Sequence, residues 1–123
     1  MASETLLLVL IVKEAGLRST LVARLSMAGA DMLTADDFDD PRLARHKKRP
    51  LVLIADQAAV ESYAGGCAGL AADPRWTRLV LLSPEAAPAA SDNPRLIRVG
   101  RATAAATIAK LLPEWQMPDD RPA

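Results

Sequence analysis

Apolar residues along this chain fall into blocks separated by polar stretches. The first block, Leu6 to Val12, is a continuous aliphatic run, and a run without alternation predicts a β-strand covered on both faces. Apolar residues then recur at helical spacing from Leu17 to Ala28, and Gly29 follows as a stop signal. The chain therefore opens with a buried strand and an amphipathic helix.

The later blocks repeat this alternation of strand and helix. Asp40 followed by Pro41 predicts an N-cap and the first residue of a short helix, which ends in the basic run RHKKR. Longer helices are predicted over residues 58–72 and 102–112. Further strands are predicted over residues 32–34, 51–55, 78–82 and 95–99.

Strands that alternate with helices predict a parallel sheet with helices on both faces. Five strands in 123 residues favour a flavodoxin-like, doubly wound α/β sheet of strand order 2-1-3-4-5. Between the last two strands, PEAAPAASDNP carries three prolines, so we expect a short or missing fourth helix there. We expect one domain over residues 1–113 and a flexible C-terminal tail over residues 114–123.

Composition excludes several classes of function. The formal net charge is zero and the aromatic residues are one Phe, one Tyr and two Trp, which weighs against a nucleic-acid partner. With only Cys67 and His46, the chain has neither a disulfide framework nor the usual zinc ligands. The apolar start is followed at once by Lys13 and Glu14 and is far shorter than a membrane span. We therefore expect a cytoplasmic protein with no membrane partner.

Three unusual stretches have structural interpretations. AGGCAG, residues 64–69, lies in the predicted third helix and lacks the spacing of a phosphate-binding loop, so close packing or a loosened helix is favoured over a phosphate cradle. RHKKR is interpreted as a solvated helix end, with a docking patch for an acidic partner as the alternative. DDFDD, residues 36–40, is interpreted as a solvated turn and helix start.

Asp56 is the residue with the clearest chemical interest. It ends the third strand, just as Lys13 ends the first, and both should reach the crevice where the strand order reverses, which is where such sheets bind ligands. The alternative is structural, because an Asp at this position also caps the helix that follows.

The segment RPLVLIAD, together with the predicted topology, resembles the receiver domains of bacterial response regulators. The resemblance covers Leu6 to about Leu112. It implies that Asp56 is the phosphoacceptor and that Ser83 contacts the phosphoryl group. It also implies that Arg101 lies near the position at which receivers carry an invariant Lys. It also implies a histidine kinase or a downstream regulator as protein partner, and a possible homodimer.

The chain departs from that family at its metal and phosphoryl positions. Receivers follow the first strand with two acids that hold Mg²⁺, whereas this chain has Lys13 and Glu14. Only Glu14 and Asp56 then remain as weak metal ligands, so we expect no cofactor or weakly bound Mg²⁺. Lys13 is a candidate counterion and phosphoryl contact for Asp56, and Gly100-Arg101 replaces the usual Lys-Pro pair.

These departures favour a degenerate receiver, or pseudo-receiver, that signals through protein–protein contact and is not an enzyme. Two alternatives stay open. One is a functional phosphoacceptor of a two-component system with an atypical site. The other is a small flavodoxin-like hydrolase with Asp56 as nucleophile, which the lack of a general base near Asp56 disfavours.

Overall fold

Within the described residues, strands and helices follow the order that the apolar blocks predict, except that two short helices stand between the third and fourth strands. The computed structural model describes residues 6–44, 50–63, 65–83 and 96–116. The elements are β1 Leu7–Ile11, α1 Ala15–Met27, β2 Met32–Thr34, α2 Pro41–Ala44, β3 Leu51–Asp56, α3 Gln57–Glu61, α4 Gly66–Ala72, β4 Trp76–Ser83, β5 Leu96–Gly100, a 3-10 turn Arg101–Thr103 and α5 Ala104–Gln116.

The five strands form one parallel sheet in the order β2-β1-β3-β4-β5. This confirms the predicted flavodoxin-like order. β1 and β3 lie in the interior of the sheet and are buried along their whole length, as continuous aliphatic runs predict. β2 and β5 are the edge strands, and their first residues are only partly buried.

Side chains that alternate along each strand divide the core into two halves. The even-numbered residues of β1 pack with α1 and α5 on one face of the sheet, and the odd-numbered residues pack with α2, α3 and α4 on the other. Helices therefore cover both faces, as a doubly wound sheet requires.

The prediction of one continuous helix over residues 58–72 is wrong, because two short helices, α3 and α4, occupy this segment. Gly65 and Gly66 have φ angles of +91° and +58°, and a left-handed residue ends a right-handed helix. The Ser62 hydroxyl also donates to the Ala59 carbonyl oxygen at 2.7 Å, at the end of α3. Gly65 therefore stands in the break between α3 and α4, Gly66 begins α4, and Gly69 lies inside α4.

The last helix continues beyond its predicted end. α5 contains Pro113 and runs to Gln116, and Trp115 packs against the core on the α1 face. The guanidinium of Arg78 lies 5.9 Å from the centre of the Trp115 ring. The expected domain boundary at residue 113 thus falls inside α5, and residues 117–123 lie outside the described residues.

The start of α2 agrees with its prediction. Asp40 Oδ1 accepts the Arg42 N–H at 2.9 Å, and Pro41 is the first helical residue.

Two predicted features lie outside the described residues. They are the RHKKR run with His46 and the proline-rich segment where a short or missing helix was expected. No helix in the described part of the chain has both the length and the apolar character needed to cross a bilayer.

Candidate functional site

A cleft of about 340 Å³ opens at the carboxyl ends of the strands. We call it the Asp56 cleft. The crevice lies beside β1 and β3, where the order of the sheet reverses and where doubly wound sheets bind ligands. Its lining residues are Lys13, Glu14, Asp56, Gln57, Ala58, Leu82 and Arg101.

The Asp56 carboxylate accepts hydrogen bonds from three backbone amides. Its Oδ2 accepts the N–H of Lys13 at 2.9 Å and the N–H of Glu14 at 3.1 Å. Its Oδ1 accepts the N–H of Ala59 at 3.0 Å. The residue is 7% exposed, so these bonds replace the water that an ionised carboxylate requires.

The local sequence explains this arrangement. β1 and β3 are parallel neighbours in which Ile11 lies opposite Ala55, so the loop after β1 passes directly beside Asp56. Asp56 itself has extended backbone angles and is the N-cap of α3. One carboxylate therefore joins the β1–α1 loop to the start of α3, and the structural interpretation of Asp56 as an N-cap is confirmed.

Lys13 contacts Asp56 through its backbone and not through its ammonium group. The Lys13 Nζ donates to the Asp36 carbonyl oxygen at 2.5 Å, in the DDFDD stretch. The counterion hypothesis required the charge of this side chain to lie beside the Asp56 carboxylate. The structure instead directs that charge to the loop after β2.

Glu14 and Arg101 form an ion pair across the Asp56 cleft. Glu14 is the N-cap of α1, and Arg101 begins the 3-10 turn that leads into α5. Both side chains are partly exposed, 50% for Glu14 and 42% for Arg101. The pair links two loops that follow strands on opposite sides of β3 and β4.

Sequence reasoning placed Lys13, Asp56 and Arg101 at one edge of the sheet, and the structure brings all three to the same cleft. Ser83 is the last residue of β4 and pairs in register with Gly100, so it also lies at this edge. The Glu14–Arg101 pair was missed. The available signal was weak: Arg101 directly follows β5, but Glu14 stands three residues after the end of β1 and behind Lys13.

The donors that the resemblance assigns to Mg²⁺ do not fit that ion. Both Asp56 oxygens accept backbone amides, and the Glu14 carboxylate is paired with Arg101, whereas Mg²⁺ requires several free oxygen ligands. Across residues 6–44, 50–63, 65–83 and 96–116, no three His, Cys, Asp or Glu residues are grouped so that they would hold a metal ion.

Comparisons with protein-family models, with curated proteins and with solved structures each gave no match.

Proposed function

We propose that this chain is a cytoplasmic, receiver-like signalling domain that acts by binding a protein partner, and that Asp56 joins the β1–α1 loop to the start of α3 instead of accepting a phosphoryl group. The observation that carries the proposal is the set of three backbone amides that donate to the Asp56 carboxylate.

Those hydrogen bonds leave Asp56 a poor nucleophile. A carboxylate offers about four lone-pair positions, and two on Oδ2 and one on Oδ1 are directed at backbone amides. Each bond draws electron density from an oxygen that would otherwise attack phosphorus. Phosphorylation would also compete with the N-cap bond to Ala59, which stabilises α3.

The cations of the cleft are directed away from Asp56. Phosphoryl transfer depends on cations that neutralise the charge of the transferred group. The Lys13 ammonium donates to Asp36, and the Arg101 guanidinium is paired with Glu14. A phosphodonor entering the cleft would first have to break both arrangements.

The experiment is treatment with acetyl phosphate or beryllofluoride, with and without Mg²⁺, followed by intact mass and amide NMR spectra. We expect neither a covalent adduct nor beryllofluoride-dependent shifts around Asp56. Asp56→Asn tests site specificity, and Asp40→Asn is a matched control that removes a carboxylate elsewhere. An adduct on the wild type and on Asp40→Asn, but not on Asp56→Asn, would contradict the proposal.

That last result would establish the second candidate, a phosphoacceptor receiver with an atypical site. One observation favours it: Oδ1 accepts a single amide, so one of its lone pairs stays available beside the Asp56 cleft, which the carboxylate lines.

The resemblance suggests β5 and α5 as the face that meets the partner, whether a histidine kinase, a downstream regulator or a second copy. Ala106 and Lys110 are exposed on α5. Reversing the charge with Lys110→Glu should weaken partner capture, while Asp56→Asn should capture the same partner as the wild type. Partner capture that requires phosphorylated Asp56 would contradict the proposed function.

A further inference from the structure

We propose that the Asp56 cleft binds a small zwitterion of amino-acid size, with the ligand carboxylate on Arg101 and the ligand ammonium on Glu14. The inference rests on the proposed function in one respect, since it needs Asp56 to remain unmodified. It adds a ligand-binding site to a domain that otherwise acts through a protein partner.

The hydrogen bonds of the cleft identify the groups that can meet a ligand. Asp56 is committed to three amides, and the Lys13 ammonium to the Asp36 carbonyl oxygen. The Gln57 side-chain amide donates to Glu61 at 3.0 Å. Of the charged groups that line the cleft, Glu14 and Arg101 contact each other, and within the described residues neither side chain is held by a further partner.

The balance of charge selects the class of ligand. Two of the charged side chains that line the cleft are held by backbone groups, Asp56 by three amides and Lys13 by the Asp36 carbonyl oxygen. Among the described residues, the Glu14 carboxylate and the Arg101 guanidinium remain to meet a ligand. A simple anion would be attracted to Arg101 but repelled by Glu14, and a simple cation would be attracted to Glu14 but repelled by Arg101. A zwitterion satisfies Glu14 and Arg101 together, because each of its charged ends replaces the partner that the other residue gives up.

Opening the Glu14–Arg101 pair costs little. Both side chains are about half-exposed, and exposed ion pairs contribute little to stability because water screens them. Insertion of a zwitterion exchanges one screened pair for two charge-assisted contacts inside a concave site. The ion pair therefore positions the Glu14 carboxylate and the Arg101 guanidinium for a ligand without closing the cleft.

The size and walls of the cleft restrict the ligand further. Its volume of about 340 Å³ lies near the lower end of the roughly 300–1,000 Å³ found for small-molecule sites. Leu82 and Ala58 supply an apolar lining beside the charged groups. This combination suits an α-amino acid with a short aliphatic side chain, such as valine or alanine.

The test is a titration of the whole chain with L-valine, followed by its backbone amide NMR signals. Saturable shifts are expected at Glu14, Ala58 and Arg101. N-acetylvaline lacks the ammonium and valinamide lacks the carboxylate, so each should bind about tenfold more weakly or worse, because one charge-assisted contact is lost. Equal shifts with N-acetylvaline would overturn the inference in favour of a plain anion site.

Variants distinguish the contribution of the Glu14–Arg101 pair to binding from any effect on folding. Glu14→Gln and Arg101→Gln should each weaken valine binding about tenfold or more while keeping a folded amide spectrum. Asp73→Asn, which breaks the Asp73–Arg75 pair outside the cleft, should leave binding unchanged. Absence of saturable shifts with valine and with alanine would refute the zwitterion site alone, whereas an Asp56 adduct would refute the proposed function.

Discussion

At the scale of single residues, the Asp56 side chain caps α3 and also binds the loop after β1. Its Oδ1 holds the first turn of α3 through Ala59, and its Oδ2 holds the loop after β1. Because the carboxylate is buried, these bonds are not exchanged freely with water. The stability of the whole edge of the sheet should depend on this residue.

Asp56→Ala should lower the free energy of unfolding by about 2–4 kcal/mol, because an N-cap is lost and amide donors lose a charged acceptor. Asp56→Asn retains one oxygen for Ala59 but places an NH₂ group against donors, so its loss should be smaller, about 1–2 kcal/mol. Urea unfolding measures both. If Asp56→Ala unfolded at the same urea concentration as the wild type, the proposed contribution of the Asp56 hydrogen bonds to stability would be contradicted.

Asp40 is a second residue whose charge matters, and its effect should appear as a pH dependence. The Arg42 side chain hydrogen-bonds the Asp40 carboxylate and lowers the pKa of Asp40 to about 2, from 3.8. A carboxyl group whose pKa is lowered by folding stabilises the fold above its unfolded pKa, and this contribution is lost as the pH falls.

The wild type should therefore be more stable than Asp40→Asn at neutral pH, and the difference should shrink between pH 4 and 2. Unfolding curves of both proteins across this range measure the difference. A difference that grows on acidification would contradict the assignment. Glu114→Gln, which removes an exposed carboxylate on α5, is the control for a general loss of negative surface charge.

At the scale of elements, the break between α3 and α4 depends on two glycines in different surroundings. A Cβ at Gly65 would lie 3.3 Å from the Gly69 Cα, whereas a Cβ at Gly66 would meet open space. Both residues have positive φ angles, which cost a residue with a side chain about 1–2 kcal/mol. Only Gly65 adds a steric contact to this backbone cost.

Gly66→Ala should therefore lose about 1 kcal/mol of stability, and Gly65→Ala should lose roughly 1 kcal/mol more. Thermal or urea unfolding of the two variants checks the order. Equal losses would show that the backbone angle alone sets the cost. Gly16→Ala, in the first turn of α1 with open space around its Cβ, should be neutral or stabilising because Ala favours the helix.

At the scale of the whole molecule, the sheet separates two apolar half-cores. Ile108 of α5 packs on one face and Leu70 of α4 on the other, and both are almost fully buried. The two residues belong to separate clusters of buried side chains on opposite faces of the sheet, so the effects of substituting them should be independent.

Ile108→Val should lose about 0.5–1.5 kcal/mol and Leu70→Ala about 2–5 kcal/mol, from the lost apolar contacts and the cavities that remain. The double variant should lose the sum to within about 0.5 kcal/mol. Denaturant unfolding of the three proteins gives the coupling energy. A coupling well above that value would show that the faces are linked through the sheet.

The sequence alone determined the order of elements, the parallel sheet and the location of Asp56. These follow from local patterns: an aliphatic run without alternation is a strand buried on both faces, and a residue after such a run stands at the end of that strand. The two helices in place of residues 58–72 and the extension of α5 past Pro113 were not predicted. They depend on positive φ angles at Gly65 and Gly66 and on the packing of Trp115.

Only the tertiary structure decided which side chains and backbone groups contact one another in the Asp56 cleft. The pattern brought Lys13 and Asp56 to one edge, but the contact is made by the Lys13 amide, while the ammonium reaches the loop after β2. Glu14 and Arg101 are 87 positions apart in the chain. They meet because β1 and β5 end at the same edge of one parallel sheet. Side-chain direction and pairing across strands arise from packing in three dimensions, and no local pattern records them.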